Sequence, residues 1–216
     1  MEINSKSQSR LESFLDNPSK ALWTLAIPIM FGMGIHTLYN IVDMMFIGRL
    51  GGNAITGVAF NMPVFFLMLG LTMGLGSGVT ASIARFIGEN KKSHADNSAE
   101  HALALAAVIA TIFTTAGLMF GFHILTFLGA EGEILTLAWD YLYIIIIGLP
   151  FMIFSGFFRS ILAGEGDMKF PMMVAGLGTI LNIILDPIFI FDLEAYGGIG
   201  FGLGVKGAAM ATVISQ

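Results

Sequence analysis

Cysteine is missing from all 216 residues. That excludes a disulfide framework and a thiolate metal site, and it leaves the redox compartment unreadable. Charge is scarce as well, at 12% of residues against 56% hydrophobic ones, with a mean hydropathy of +0.82. A single soluble core cannot hide that much apolar surface, so lipid is the expected solvent. No short apolar run before a small-residue cleavage site occurs in Met1 to Lys20, so the first apolar segment reads as a retained span. There is no basic stripe interleaved with aromatics, which argues against a nucleic-acid partner. The loops RFIGENKKSHADNSAEH and RSILAGEGDMKFP both carry Arg, Gly-Glu and Lys, yet neither follows a strand or holds a Gly-Lys-Ser/Thr arrangement, so neither is a phosphate loop.

What the chain has instead is long apolar runs. About 20 residues are needed to cross a hydrocarbon core of about 30 Å. The sequence supplies such runs at 22–47, 54–83, 102–122, 134–158 and 170–191. A sixth begins near Gly202 and reaches Gln216 after about 15 residues, roughly 22 Å of helix. The expected fold is therefore an all-α, polytopic membrane protein. Residues 1–21 form an N-terminal segment and 22–216 a membrane domain whose sixth helix is truncated, as in a fragment or a half whose counterpart lies elsewhere.

With the N-terminus in the cytoplasm, Lys6, Arg10, Lys20, Arg85, Lys91, Lys92, Arg159 and Lys169 fall inside, and only Arg49 and Lys206 outside. That asymmetry satisfies the positive-inside rule and predicts a multi-pass protein of the cell (inner) membrane. Glu131, Glu133, Asp192 and Glu194 then lie on the outer side. Glycines at 32, 34, 70, 74, 76 and 78 are expected where helices touch, since small residues let backbones approach in lipid. The alternative is a helix loosened to bend at Gly74 to Gly78.

Acid inside a span is the anomaly that carries chemistry. A carboxylate at mid-bilayer costs about 3 kcal/mol on insertion scales, so such residues face a bundle interior or a watery cavity. Span one holds His36, Tyr39, Asn40 and Asp43, whose spacing places them along one helical face. Span five holds Asn182 and Asp186 four residues apart, followed by Pro187, which frees the carbonyl of Ile183. A carboxylate, an amide oxygen and a freed carbonyl on one turn suit a hard cation. Both spans run from inside to outside, and both acids sit in the last third, so they share a depth. Thr212, in span six, and Tyr141, near the outer start of span four, reach a similar layer. Two carboxylates converging there cannot easily both stay ionised without a cation between them. Asp140, His123 and Glu131 lie near the interface, where hydration explains them without function. His36 has no second His or Cys at ligand spacing and reads as a packing residue.

At these residues the chain resembles the multidrug and toxic compound extrusion transporters, in their DNA-damage-inducible protein F-like branch. The resemblance rests on NPSKALWTLAIPIMFGMGIHTLYNIVDMMFIGRLGG, on FRSILAGEGDMKFPM, and on LNIILDPIFIF followed by GVKGAAMAT. It implies the first six-helix lobe of a twelve-helix, two-lobed protein. It also implies a first-lobe cation site on Asp43, Asn182, Asp186 and Thr212, holding Na⁺ if the protein is sodium-coupled. His36, Tyr39, Asn40 and Tyr141 would line the adjoining substrate cavity.

The expected function is not enzymatic. It is secondary antiport, exporting amphipathic, often cationic drugs or toxic compounds against Na⁺ or H⁺, with no other cofactor. The lipid bilayer, such small molecules and a missing second lobe, or a second copy of this half, are the expected partners. A lipid-linked saccharide flippase of related architecture is one alternative, disfavoured because no Arg or Lys is buried in a span. A self-associating or non-functional half-transporter is another. An intramembrane aspartic protease is disfavoured because Asp43 sits in IVDMM and Asp186 in ILDPI, without a dyad's glycine-rich setting.

Overall fold

Proline, glycine and small polar residues punctuate the apolar runs, and they decide where the helices stop. A computed structural model describes residues 18–192 and 200–216, with some side chains of the first helix, His36 among them, outside the described residues; Glu194 also lies outside them. The helices are α1 (Pro18–Gly48), α2 (Gly52–Ala59), α3 (Met62–Gly88), α4 (Lys92–Phe127), α5 (Gly132–Gly164), α6 (Lys169–Ile190) and α7 (Val205–Ser215). Every element among the described residues is helical. Among the described residues, five stretches are long and apolar enough to cross a membrane, with α2 and α3 counting as one.

The second apolar run, read as one span from 54 to 83, is interrupted by a turn at Phe60 and Asn61. Pro63 in the first turn of α3 is the local cause, since a proline has no N–H to continue the ladder from α2 and is suited to a helix start. Asn61 is wholly buried there. Its Nδ2 donates to the carbonyl of Gly57 at 3.1 Å and to that of Ala138 in α5 at 3.2 Å. The interrupted helix is thereby tied to the centre of the bundle.

That centre is α5, which packs against α2, α3, α4 and α7. Its Leu149, Ile153, Phe157 and Ile161 build one apolar core with α3 and α4, and its Tyr141 and Ile145 build a second with α1, α2, α6 and α7. Helix α1 packs mainly on α6, which in turn packs on α7. Large apolar side chains such as Phe66, Met73, Phe127 and Phe151 stay outside. In lipid such exposure is favourable.

Contact glycines fall elsewhere than the sequence suggests. A methyl group at Gly32, Gly34, Gly70, Gly74 or Gly78 would meet nothing within 4 Å. Of that set only Gly76 lies against a neighbour, Ser160 Oγ of α5. Close approach is made instead by Gly148 of α5 against Val213, Gly178 of α6 against the Ser215 carbonyl, and Gly207 of α7 against the Phe189 carbonyl. Helical periodicity marks which glycines share a face but not which face meets a neighbour. The helix also runs unbroken through Gly74 to Gly78, with Ser77 Oγ donating to the Gly74 carbonyl at 2.7 Å.

At the end of α3, Glu89 accepts hydrogen bonds from Lys91 at 2.8 Å and from Arg85 at 2.9 Å. These partners hold its carboxyl down at about 2. Any stabilisation from them is therefore present above the ordinary carboxylate range and lost as pH falls toward 2. Water screens this exposed cluster, so it fixes the turn rather than the fold.

Candidate functional site

Three helices bring the polar residues together, and the fourth closes over them. Asp43 lies in the last turns of α1, Asn182 and Asp186 in the last turns of α6, and Thr212 in α7. Asp43, Asn182, Asp186 and Thr212 are all buried, with Asn182 and Asp186 at 0% exposure. Tyr141 of α5 enters the same layer, and Tyr39 of α1 lies one turn from Asp43; both are buried. The Tyr39 hydroxyl donates to Thr212 Oγ1 at 3.1 Å, joining α1 to α7. Within α6, Asn182 Nδ2 donates to Asp186 Oδ1 at 3.2 Å. Asp43 lies within electrostatic range of Asp186, and Tyr141 within range of Asp43, Tyr39, Asp186 and Thr212.

The sequence ties these residues to one layer through helical phase. Tyr39 and Asp43 are four residues apart, as are Asn182 and Asp186, so each pair faces one way. Asn40, on the edge of the same arc of α1, is exposed. The side chain of His36 lies outside the described residues.

The donor chemistry is that of a hard ion. Asp43 Oδ1, Asn182 Oδ1 and Asp186 Oδ2 are buried oxygens without a hydrogen-bond partner among the described residues. A buried acceptor left unpaired is costly, and a carboxylate more so. Among the described residues no Lys or Arg pairs with either acid. Oxygens from two carboxylates, an amide and a hydroxyl suit an alkali cation or a proton. They do not resemble the nitrogen and sulfur set that zinc prefers. Among the described residues no group of three or more His, Cys, Asp or Glu is placed to hold a metal.

Three features escaped the sequence reading. Asn61, in the NMP that splits the second span, was signalled by its proline neighbour. Gly148, Gly178 and Gly207 set how closely α7 sits on α5 and α6, and no local pattern distinguishes them. Asp140 is paired with Lys206 of α7 at 3.2 Å, whereas the sequence alone leaves it as a hydrated interfacial acid.

A polytopic helical lobe with a buried, oxygen-rich polar cluster, to which no described Lys or Arg supplies a counter-charge, defines the class of a multi-pass membrane protein with a polar site inside its bundle. Comparison with known proteins gives the family. The MatE family model matches residues 28–188, so the chain belongs to the MatE family. Curated relatives include the probable multidrug resistance protein NorM of Thermotoga maritima, 33% identical over 91% of this chain, and the multidrug export protein MepA of Staphylococcus aureus, 32% identical over 91%. The FAD transporter of Shewanella oneidensis is 28% identical over 91%. Among solved structures, a MOP superfamily transporter from Pyrococcus furiosus superposes with a TM-score of 0.83 at 39% identity over 92% of this chain. A multidrug resistance MATE family transporter in an outward-facing conformation does so with 0.82 at 38% identity over 92%. The chain spans about 42% of the length of each of these relatives. It corresponds to one lobe of a multi-pass membrane transporter, and its family is one of transporters rather than enzymes.

Proposed function

We propose that this lobe carries the coupling-ion site of a secondary antiporter that exports amphipathic, often cationic compounds in exchange for Na⁺ or H⁺. The observation that supports it most is the convergence of Asp43 and Asp186 from two helices, with Asn182 and Thr212 in the same buried layer and no basic residue among the described ones to neutralise them. Two carboxylates in low dielectric need a positive charge, and an ion that arrives and leaves supplies one reversibly. Asp43, Asn182, Asp186 and Thr212 would hold it. The bound ion neutralises the acids, alters how α1 lies on α6, and shifts the lobe between two arrangements that bind substrate differently.

Alternating access needs two halves moving around the site. The opposing half is a second lobe, in the same polypeptide or in another copy. Tyr39, Asn40 and Tyr141 would line the cavity shared with it, as would His36, whose side chain lies outside the described residues. Residues 1–21 would lie in the cytoplasm ahead of a membrane domain over 22–216, which puts Arg85, Lys91 and Arg159 on the cytoplasmic side of the cell membrane. Names of relatives range from multidrug export to FAD transport, so a cationic drug is the substrate class proposed from the uncompensated acids.

Ethidium efflux from vesicles bearing a two-lobed transporter that contains this lobe is the test. Efflux accelerates when an inward Na⁺ or H⁺ gradient is imposed. Efflux indifferent to both gradients contradicts the proposal.

A further inference from the structure

The outer end of the lobe carries a second constellation that the cation site does not use. Helix α5 has 33 residues, roughly 50 Å at 1.5 Å each. A hydrocarbon core of about 30 Å leaves about 10 Å of it in the headgroup layer at each side. Trp139, Asp140 and Tyr143 lie roughly 10 to 17 Å along from Gly132. They therefore sit where headgroup meets hydrocarbon.

At this level a groove of about 390 Å³ is lined by Trp139, Asp140, Tyr143, Ile144 and Lys206. Lys206 Nζ lies 3.2 Å from Asp140 Oδ1, and the lysine side chain is half exposed. One positive and one negative group thus open on the same groove. The Trp139 and Tyr143 rings stand 5.8 Å apart beside them. Aromatic side chains of this kind favour the interfacial layer, and their faces attract ammonium groups. Ile144 continues the groove along α5.

We infer that this groove binds the headgroup of a zwitterionic phospholipid, phosphoethanolamine, from the leaflet at this end of the bundle. Its phosphate meets Lys206 and its ammonium meets Asp140 and the aromatic faces, while the acyl chains follow α5 past Ile144. A net-anionic headgroup would satisfy Lys206 and be repelled by Asp140. Charge complementarity therefore selects a headgroup carrying both signs. The inference rests on the membrane setting and not on ion coupling, so it stands or falls apart from the transport reading.

Native mass spectrometry of the full chain, released from detergent with phosphatidylethanolamine and phosphatidylglycerol in equal amounts, reads the result. One phosphatidylethanolamine is retained per chain. Lys206→Gln lowers that retention about tenfold, as loss of one charge-assisted contact implies. Asp140→Asn turns the preference toward phosphatidylglycerol, and Lys169→Gln at the opposite end changes neither. The double swap Asp140→Lys with Lys206→Asp keeps both charges in the groove and restores retention of phosphatidylethanolamine, which separates binding from a folding defect. Retention unaffected by Lys206→Gln, preference of the unaltered chain for phosphatidylglycerol, or a second copy of the chain in place of lipid overturns the inference.

Discussion

Gly207→Leu is expected to cost the lobe about 3 kcal/mol, the upper end of ordinary overpacking, and to take the cation site with it. At Gly207 a side chain would run into the carbonyl of Phe189 and come within 2.8 Å of the Ile190 nitrogen. Those are backbone atoms of α6, which cannot rotate aside as a side-chain tip can. The only relief is separation of α7 from α6. Thr212 rides on α7, while its hydrogen-bond partner Tyr39 stays on α1 with Asp43, and Asp186 stays on α6, so separation opens the polar layer. The damage is not confined to one contact, because Ala208, Ala209 and Ala211 are all buried on the same short helix. Unfolding in mixed micelles by added denaturing detergent measures the loss. Gly207→Ala tests the mechanism, with a smaller deficit of about 1 kcal/mol. An unchanged midpoint for Gly207→Leu would show that α7 does not depend on this approach.

Asp43→Asn and Asp186→Asn, each introduced into a two-lobed transporter containing this lobe, are expected to lower ion-driven ethidium efflux by about tenfold or more. That is the range of a coupling free energy of about 1–3 kcal/mol. Asparagine keeps the shape and one acceptor but removes the charge. Neutralisation is what the ion is proposed to do, so each variant is fixed near its ion-bound arrangement and cannot cycle. Thr212→Ala is milder, since it removes a neutral donor and the partner of the Tyr39 hydroxyl. Fluorescence of ethidium-loaded vesicles under an imposed gradient reads all three. Full ion-dependent efflux in both aspartate variants would place the coupling site elsewhere.

Much of this is legible in the sequence. Five spans follow from apolar length, and Asp43 and Asp186 announce themselves because lipid does not tolerate acid on an exposed helix face. Four-residue spacing correctly joined Tyr39 to Asp43 and Asn182 to Asp186, since both pairs are buried together. Helical phase says nothing about which neighbour a face meets, and that is where the reading stopped. Of the glycines expected at contacts, Gly76 meets Ser160 while Gly32, Gly34, Gly70, Gly74 and Gly78 have open faces in this lobe, and Gly148, Gly178 and Gly207, which hold α7 in place, carry no such signal. The Asp140–Lys206 pair was illegible for the same reason. Its partners are 66 residues apart and meet only because α7 packs against α5. The turn at Asn61 was hidden by hydropathy, because a single buried asparagine hardly lowers the mean of an otherwise apolar run.

The central claim is that Asp43, Asn182, Asp186 and Thr212 hold one cation. Isothermal titration of the purified chain with Na⁺, alongside proton release recorded by a pH indicator in weakly buffered detergent, measures that directly. One Na⁺ bound per chain, or one proton taken up and released in its place, is the predicted result, abolished by Asp43→Asn and by Asp186→Asn. Binding of equal stoichiometry and affinity in both variants would contradict the account.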